Sequence, residues 1–328
     1  MADRVRVRFY EEIPVRGSVP AGTWIFGDLE RLGPGGRELA THLHDMLRAS
    51  GAPMRLLNDP SCALDRFPLL SKLQADGVNR FRVFRAADRL PSDLAYPVFL
   101  RMERQHGGPL TSLLADRPAL DAAVRWLSSP LRGYRRRDLL VVEFRDVSRE
   151  DGTFNKYTAF RVGDRVVPQH ADFSRSWTVK ATRRYYDEAT IRADLEYVQG
   201  NPHAARLQAI FRAASIDYGR MDYAMRGEEL QVWEINTNPV VGPSGPPGRT
   251  RAVPDEHRAA TQASRNRFDV MMRGALEEID IDAAAERVAV RIPPRLAARA
   301  RLERADYLSW TRYRRWMKGM TRAVGGAR

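Results

Sequence analysis

Alternating apolar and polar stretches near the start of the chain predict a strand, a helix and a second strand. The apolar run 23–27 predicts a short buried strand, and the helical segment RELATHLHDMLRAS follows the turn-rich GPGG and ends at Gly51. A second apolar run, 54–57, is stopped by the sequence NDP. Strand, helix and strand at this spacing predict a βαβ unit with parallel strands. A further helix is predicted over 66–76.

Further along, the hydrophobic pattern predicts several more strands and three more helices. Strands are predicted over 96–102, 139–144, 156–162, 165–168, 219–225 and 230–236. Helices are predicted over 188–214, with a break near Gly200-Asn201-Pro202, and over 255–278. The predicted fold class is therefore α/β (α+β), an α+β body preceded by a small α/β unit.

Composition narrows the class of protein. The chain has 328 residues, of which 43% are hydrophobic, and this is enough to bury a core in two or three packed units. The single cysteine, Cys62, allows no internal disulfide and no Cys-rich zinc site. The N-terminal stretch lacks the apolar core of a signal peptide, and no run approaches the roughly 20 apolar residues of a membrane span. We therefore expect a soluble, cytoplasmic protein.

The net charge of +13 is concentrated at the end of the chain. Residues 291–328 hold ten Arg and one Lys against only Glu303 and Asp306, so they carry +9 and the other residues +4. This distribution, without a recognised nucleic-acid-binding module, argues against a specific nucleic-acid partner.

The basic tail has an apolar stripe if it is helical. Trp310, Tyr313, Met317, Met320 and Val324 recur at spacings of three and four, and most basic residues lie off that stripe. Two interpretations stay open: the stripe packs against the body of the protein, or it docks on an anionic membrane surface or an acidic partner.

The stretch from Asp222 to Pro239 carries the most chemistry. Side chains alternate along the predicted strand 230–236, so Trp233 and Ile235 would share one face, and Glu234 and Asn236 the other. The preceding antiparallel strand places Asp222 where it can reach the latter face. Two carboxylates and an amide oxygen suit Mg²⁺ held together with phosphates. The alternative is a half-buried hairpin whose polar face meets water.

Asp in one strand followed by Glu-x-Asn-x-x-Pro in the next resembles the metal-binding signature of the ATP-grasp superfamily. Members include D-alanine–D-alanine ligase, glutathione synthetase and the ribosomal-protein glutamate ligases. The resemblance covers about residues 20–280. It implies an ATP-grasp fold with an N-terminal pre-ATP-grasp α/β domain over 1–75 and an ATP-grasp domain over 76–282. A lid subdomain would occupy about 76–150, and 283–328 would form the basic helical tail.

The resemblance also assigns residues to ATP. The residues so assigned are Lys72, Arg101, Glu143, Phe144, Asp146 and Lys156. The cations among them would hold phosphates, although Arg101 stands where the family has a lysine and its guanidinium geometry differs. The segment 141–144 resembles the hinge strand that binds adenine through its backbone, and Asp146 would contact the ribose. His106-Gly107-Gly108 stands where the family has a mobile Gly-rich loop.

The activity that the resemblance implies is ligation of a carboxylate to an amine through an acylphosphate, with ATP and Mg²⁺ as cofactors and Mn²⁺ as the alternative metal. Asp222, Glu234 and Asn236 would hold the metal, and Arg220 and Asn238 would serve as catalytic residues. Val240 follows Pro239 where many relatives have glycine, which makes the substrate side less defined.

Three points stay open at this stage. Substrates would be small-molecule or peptide carboxylates and amines, and a homodimer is one alternative for the oligomeric state. A small-molecule kinase of the same superfamily is the nearest rival function. A non-enzymatic nucleotide-binding protein with a membrane- or partner-binding tail is the other.

Overall fold

The computed structural model describes residues 5–180, 183–241, 253–283 and 285–325, with side chains up to Arg312. Its helices are α1 Pro34–Arg48, α2 Arg66–Ala75, α3 Arg117–Leu127, α4 Glu188–Gly200, α5 Ala204–Ala213, α6 Arg258–Ile279 and α7 Pro294–Gly325. Its strands are β1 Ser18–Pro20, β2 Gly22–Ile25, β3 Met54–Leu57, β4 Val83–Arg85, β5 Val98–Met102, β6 Leu139–Glu143, β7 Phe154–Val162, β8 Arg165–Ser174, β9 Tyr218–Arg226, β10 Glu229–Asn236 and β11 Arg287–Ala289. The predicted α+β class is confirmed.

The front of the chain forms the predicted βαβ unit. Strands β2 and β3 pair in parallel, and α1 connects them. The buried face of α1 carries Leu39, Leu43 and Leu47 at helical spacing, which is the pattern that predicts the helix. Gly51 adopts a φ of 72°, a backbone conformation that favours glycine, just after the helix ends.

The centre of the protein is a four-stranded antiparallel sheet in the order β10-β9-β7-β8. One face carries Met221, Tyr223 and Ile235 into the main hydrophobic core. Helices α4 and α6 pack beside β8. The predicted break between α4 and α5 is confirmed, since Asn201 has a φ of 45° and Pro202 follows it.

A smaller sheet has the order β4-β6-β5 and is packed by α3. Neither β4 nor α3 was predicted from the hydrophobic pattern. The signal for α3 is nevertheless present in the sequence: the Asp116 carboxylate accepts a hydrogen bond from Ala119 N at 2.8 Å, and Leu120, Val124 and Leu127 form its buried stripe.

A bulge in β10 overturns the predicted alternation at Trp233. The register with β9 shifts between Val232 and Glu234, and both Val232 and Ile235 lie in the main core. Trp233 instead stacks on Phe81, with ring centroids 5.1 Å apart, in a separate cluster beside the smaller sheet. Trp233 and Ile235 therefore do not share one face, because the extra residue of the bulge resets the alternation.

The last helix packs against the first. Ala297 is buried in this contact, and the Glu303 carboxylate accepts hydrogen bonds from Gly35 N at 2.8 Å and Gly36 N at 3.2 Å. These amides belong to the first turn of α1, so the carboxylate satisfies donors that the helix leaves unpaired. A Cβ on Gly35 would lie 2.8 Å from Cγ of Arg299, so a larger residue here would require the Arg299 side chain to move.

Further along α7, Trp310 packs on the smaller unit. Its ring meets Tyr134 edge-on at 6.5 Å, and its Nε1 donates to Gly133 O at 2.9 Å. This contact favours the packing interpretation for the described part of the tail. The other members of the predicted apolar stripe, Tyr313, Met317, Met320 and Val324, lie outside the described side chains. No helix among the described residues is long and apolar enough to cross a membrane.

Deleting residues 295–328 should therefore lower the melting temperature. The deletion removes the Glu303 cap and the burial of Trp310, which together are worth at least about 2 kcal/mol. Differential scanning fluorimetry of this deletion, beside a shorter deletion of 313–328, measures the effect. We expect the shorter deletion to melt close to the full chain, since it keeps the described contacts. If the longer deletion melts like the full chain, the packing interpretation is wrong. If the full chain binds anionic vesicles and the shorter deletion does not, this result would support docking of the tail on a membrane surface.

Candidate functional site

The predicted metal ligands come together on β9 and β10. In the register of these strands Glu234 lies opposite Asp222, and Asn236 lies opposite Arg220. Asp222, Glu234 and Asn236 are each at most 8% exposed. The hairpin thus gathers two carboxylates and an amide at one end of the four-stranded sheet, in a place largely removed from water.

Two arginines bind Glu234. Arg101 donates to Oε2 of Glu234 at 2.5 Å, and Arg66 donates to the same oxygen. Burial by itself would raise the pKa of the Glu234 carboxyl, but the charges of Arg66 and Arg101 outweigh it and hold that pKa well below its usual range. Glu234 is therefore an ionised, buried counter-ion.

Both arginines are buried, and they reach Glu234 from different elements. Arg66 begins α2 and also donates to the carbonyl oxygens of Met102, Glu103 and Gln105, each at 2.7 Å. Arg101 lies on β5, and burial and the charge of Arg66 lower its pKa to about 10 in spite of Glu234. One carboxylate thus faces two guanidinium groups, and the pair of cations exceeds the anion by one charge.

Asp222 is paired in a similar way. Arg220 Nε donates to its Oδ1 at 3.1 Å, and Lys156 Nζ lies 3.6 Å from its Oδ2. Lys156 comes from the neighbouring strand β7. Of the residues predicted for phosphate and substrate, Arg101, Lys156 and Arg220 therefore lie in direct contact with the predicted metal ligands.

A second buried carboxylate extends the cluster along β8. Asp172 lies opposite Lys156 in the sheet, with Arg184 Nε at 2.7 Å from its Oδ1 and His170 Nε2 at 3.3 Å from its Oδ2. Burial would raise the pKa of Asp172, but the charges of His170, Arg184 and Lys156 hold it well below its usual range.

Asp172 should make the fold sensitive to acid. Because its pKa is lower in the folded than in the unfolded protein, where it is about 3.9, its contribution is fully present above about pH 5 and is lost as the pH falls through the folded pKa. We expect Asp172→Asn to be less stable than wild type by roughly 2 kcal/mol at pH 7 and to lose less stability on acidification. Urea unfolding between pH 7 and pH 3 measures this. Asp164→Asn, at the exposed turn before β8, is the control, and equal pH dependence of Asp172→Asn and wild type would contradict the prediction.

Other predicted residues lie in local contacts of their own. Lys72 Nζ lies 3.0 Å from Asp76, the residue directly after α2, and Asp146 is exposed and accepts from Ser148 N at 2.8 Å. Asn238 is also exposed, although its backbone N donates to Oδ1 of Asn236 at 2.8 Å. Among the described residues these contacts do not link Lys72 or Asp146 to the carboxylates, so their roles stay predictions.

The predicted hinge strand holds the smaller sheet together through its side chains. The buried Glu143 carboxylate accepts from Nε and the backbone N of Arg82 and from Ala95 N, each at 2.9 Å. Phe144 packs edge-on against Trp177 with ring centroids 5.7 Å apart. The side chain of Glu143 therefore has a structural role, and adenine binding through the backbone here stays a prediction.

Sequence reasoning did not single out Arg66, Asp172 or Arg184. Arg66 is 168 residues from its partner Glu234, and no local pattern marks an arginine at a helix start as a buried counter-ion. A weak signal exists for Asp172, since a charged residue inside an otherwise apolar strand is rarely buried without a partner.

No protein-family model and no curated protein matches the sequence. Among solved structures, the chain is similar to an L-amino acid ligase from Bacillus licheniformis, with 16% identity over 61% of this chain and a TM-score of 0.36. The chain spans only 45% of that protein. It is also similar to a D-alanine–D-alanine ligase from Bacillus anthracis complexed with ATP, with 13% identity over 73% of this chain, 75% of that chain and a TM-score of 0.39.

A D-alanine–D-alanine ligase from Coxiella burnetii shows 15% identity over 75% of this chain and 67% of that chain, with a TM-score of 0.41. These three proteins are ligases. At these identities and TM-scores they say nothing about the reaction or the substrates of this chain.

Proposed function

We propose that the protein is an ATP- and Mg²⁺-dependent ligase that joins a carboxylate to an amine. The observation that carries the proposal is the buried cluster on β9 and β10, where Asp222 and Glu234 face each other next to Asn236. Cations from α2, β5 and β7 surround these side chains. The proposal also draws on the resemblance of the sequence motif.

The balance of charge in the cluster suits a polyphosphate. Among the described residues, the ion pairs of these four cations, Arg66, Arg101, Lys156 and Arg220, end on the two carboxylates of Asp222 and Glu234. Since the neighbouring Asp172 is paired with Arg184, the group carries an excess of two positive charges. Charges in a buried place interact more strongly than charges in water. An anion with several phosphates would compensate this excess.

The donor set suits a magnesium ion that arrives with phosphates. Both guanidinium hydrogen bonds to Glu234 end on Oε2, and Arg220 donates to Oδ1 of Asp222. Oε1 of Glu234, Oδ2 of Asp222 and Oδ1 of Asn236 are hard donors of the kind that Mg²⁺ prefers. Oδ2 of Asp222 also lies 3.6 Å from Nζ of Lys156, and Oδ1 of Asn236 also accepts from Asn238 N. When bound, Mg²⁺ would neutralise phosphate charge during phosphoryl transfer.

In the proposed reaction the substrate carboxylate attacks the γ-phosphorus of ATP, and the bond to ADP breaks. The resulting acylphosphate is attacked at its carbonyl carbon by an amine, which loses a proton, and phosphate leaves as the amide forms. Arg220 would orient the carboxylate, and Arg101 and Lys156 would hold the phosphates. Asn238, two residues after the end of β10, would lie on the substrate side. The site must exclude water, because water would hydrolyse the acylphosphate.

ATP with Mg²⁺ should raise the melting temperature. A ligand that binds only the folded state stabilises it by about 2.7 kcal/mol at one hundred times its dissociation constant, which corresponds to a shift of several degrees. Scanning fluorimetry with ATP and Mg²⁺ measures the shift, with ATP and EDTA as the comparison. Lys156→Met should reduce the shift, whereas Lys72→Met tests whether that lysine takes part. No shift at millimolar Mg²⁺·ATP would contradict the proposal.

Hydroxylamine distinguishes a ligase from a kinase. With pooled carboxylates, ATP and Mg²⁺, an acylphosphate is trapped as a hydroxamate, which mass spectrometry identifies together with ADP. A stable phosphorylated product formed without any amine would instead establish phosphate transfer to a hydroxyl, and the ligase proposal would fail.

A further inference from the structure

A second group of metal-ligating side chains lies outside the cluster on β9 and β10. Asp28 and Glu30 follow strand β2, and His106 follows strand β5. One ligand atom from each of the three lies within 4.8 Å of the other two. Among the described residues, it is the only group of three or more His, Cys, Asp or Glu side chains whose ligand atoms lie this close together.

The imidazole of His106 has no aligned partner. Both ring nitrogens are buried, and neither makes a hydrogen bond with the described residues. Nε2 lies 3.0 Å from Oε1 of Glu30, but the two groups lack the alignment of a hydrogen bond. Buried polar atoms in folded proteins almost always have a partner, and an ion is one of the partners that such atoms have.

Neighbouring residues hold the two carboxylates in place. Thr237 donates to Glu30 through both its hydroxyl and its backbone N, the latter at 3.2 Å from Oε1. Arg31 donates to Oδ1 of Asp28. Hydrogen bonds of this kind orient the ligands in metal sites, because they fix the carboxylates before the ion binds.

We propose that Asp28, Glu30 and His106 bind a divalent transition-metal ion. One imidazole nitrogen and two carboxylate oxygens form a mixed donor set, which suits Zn²⁺ and its first-row neighbours better than Mg²⁺, an ion that prefers oxygen alone. Three protein ligands leave at least one position for water or another molecule.

The proposed ion would join two parts of the protein. Asp28 and Glu30 belong to the N-terminal βαβ unit, whereas His106 belongs to the loop after β5 in the smaller sheet. Thr237, which binds Glu30, directly follows Asn236. The ion would thus fasten the His106 loop against the N-terminal unit next to the end of β10, and it does so independently of the proposed ligase activity.

Cobalt binding tests the proposal. The untagged full chain is treated with EDTA, freed of chelator and titrated with CoCl₂, whose visible absorption reports coordination by protein ligands. We expect one equivalent of Co²⁺ to give a visible band in the wild type. His106→Ala and Asp28→Asn should each weaken Co²⁺ binding at least about 100-fold, since each removes a direct ligand, whereas even outer-shell changes cost 10- to 100-fold. Circular dichroism of both variants establishes that they are folded.

Two control variants separate this site from others. His42→Ala removes a histidine on α1 whose Nε2 contacts Arg291 O. Asp222→Asn alters the cluster proposed for Mg²⁺. Both should keep the Co²⁺ band. The proposal is overturned if the wild type gives no band, if the band persists in folded His106→Ala, or if Asp222→Asn abolishes it.

Discussion

Replacing Glu234 by Gln should lower the free energy of unfolding by about 3–5 kcal/mol, because a buried ion pair that loses one partner leaves an uncompensated charge behind. Here the neutral amide would face two buried guanidinium groups, those of Arg66 and Arg101. Urea unfolding at pH 7 measures the change. Glu229→Gln is the matched control on the same strand, since its partner Arg145 and Glu229 itself are both partly exposed. We expect that control to unfold close to wild type, because exposed ion pairs contribute little to stability.

A double-mutant cycle with Arg101 tests the cause of the destabilisation. If the loss of stability comes from excess positive charge, combining Glu234→Gln with Arg101→Gln should cost less than the sum of the two single changes. A Glu234→Gln variant that unfolds at the same urea concentration as wild type would show that the ion cluster does not contribute to stability.

Asp222→Asn should reduce ATP-dependent turnover by about 10²–10³-fold. Removing one group that stabilises charge in a transition state costs this much in other enzymes, and Asp222 is proposed to do so through the metal. The amide keeps an oxygen that can accept from Arg220, so the fold should tolerate this change better than a change at Glu234. The measurement is ADP release against Mg²⁺ concentration at saturating ATP, where we also expect a higher Mg²⁺ requirement.

The matched control for this substitution is Asp217→Asn. Asp217 stands just before β9 and pairs with Arg161 at 3.1 Å, on a partly exposed site. It should leave turnover and the Mg²⁺ requirement unchanged. Wild-type turnover in Asp222→Asn, with wild-type Mg²⁺ dependence, would remove the metal assignment.

Local sequence patterns determined most of the elements and the two strands that carry the site. Gly227 marks the turn between β9 and β10, and a tight turn sets the register of the strands that it joins. That register alone would pair Asp222 with Trp233, and only the bulge between Val232 and Glu234 brings Glu234 opposite Asp222. The spacing therefore placed the three residues on neighbouring strands, and the bulge decided that their side chains meet. The βαβ unit was predictable in the same way, since the periodicity of α1 and the length of its flanking segments are local properties.

The partners of these residues were decided by tertiary structure. Arg66 meets Glu234 across 168 positions of the chain, and Thr237 meets Glu30 across 207. The bulge at Trp233 likewise accompanies a distant contact, because Trp233 stacks on Phe81, a residue of another unit. Hydrophobic periodicity reports which face of an element is buried, but it does not report which distant segment covers that face. Ion pairs and metal ligands between distant segments depend on that packing, and so only the folded protein reveals them.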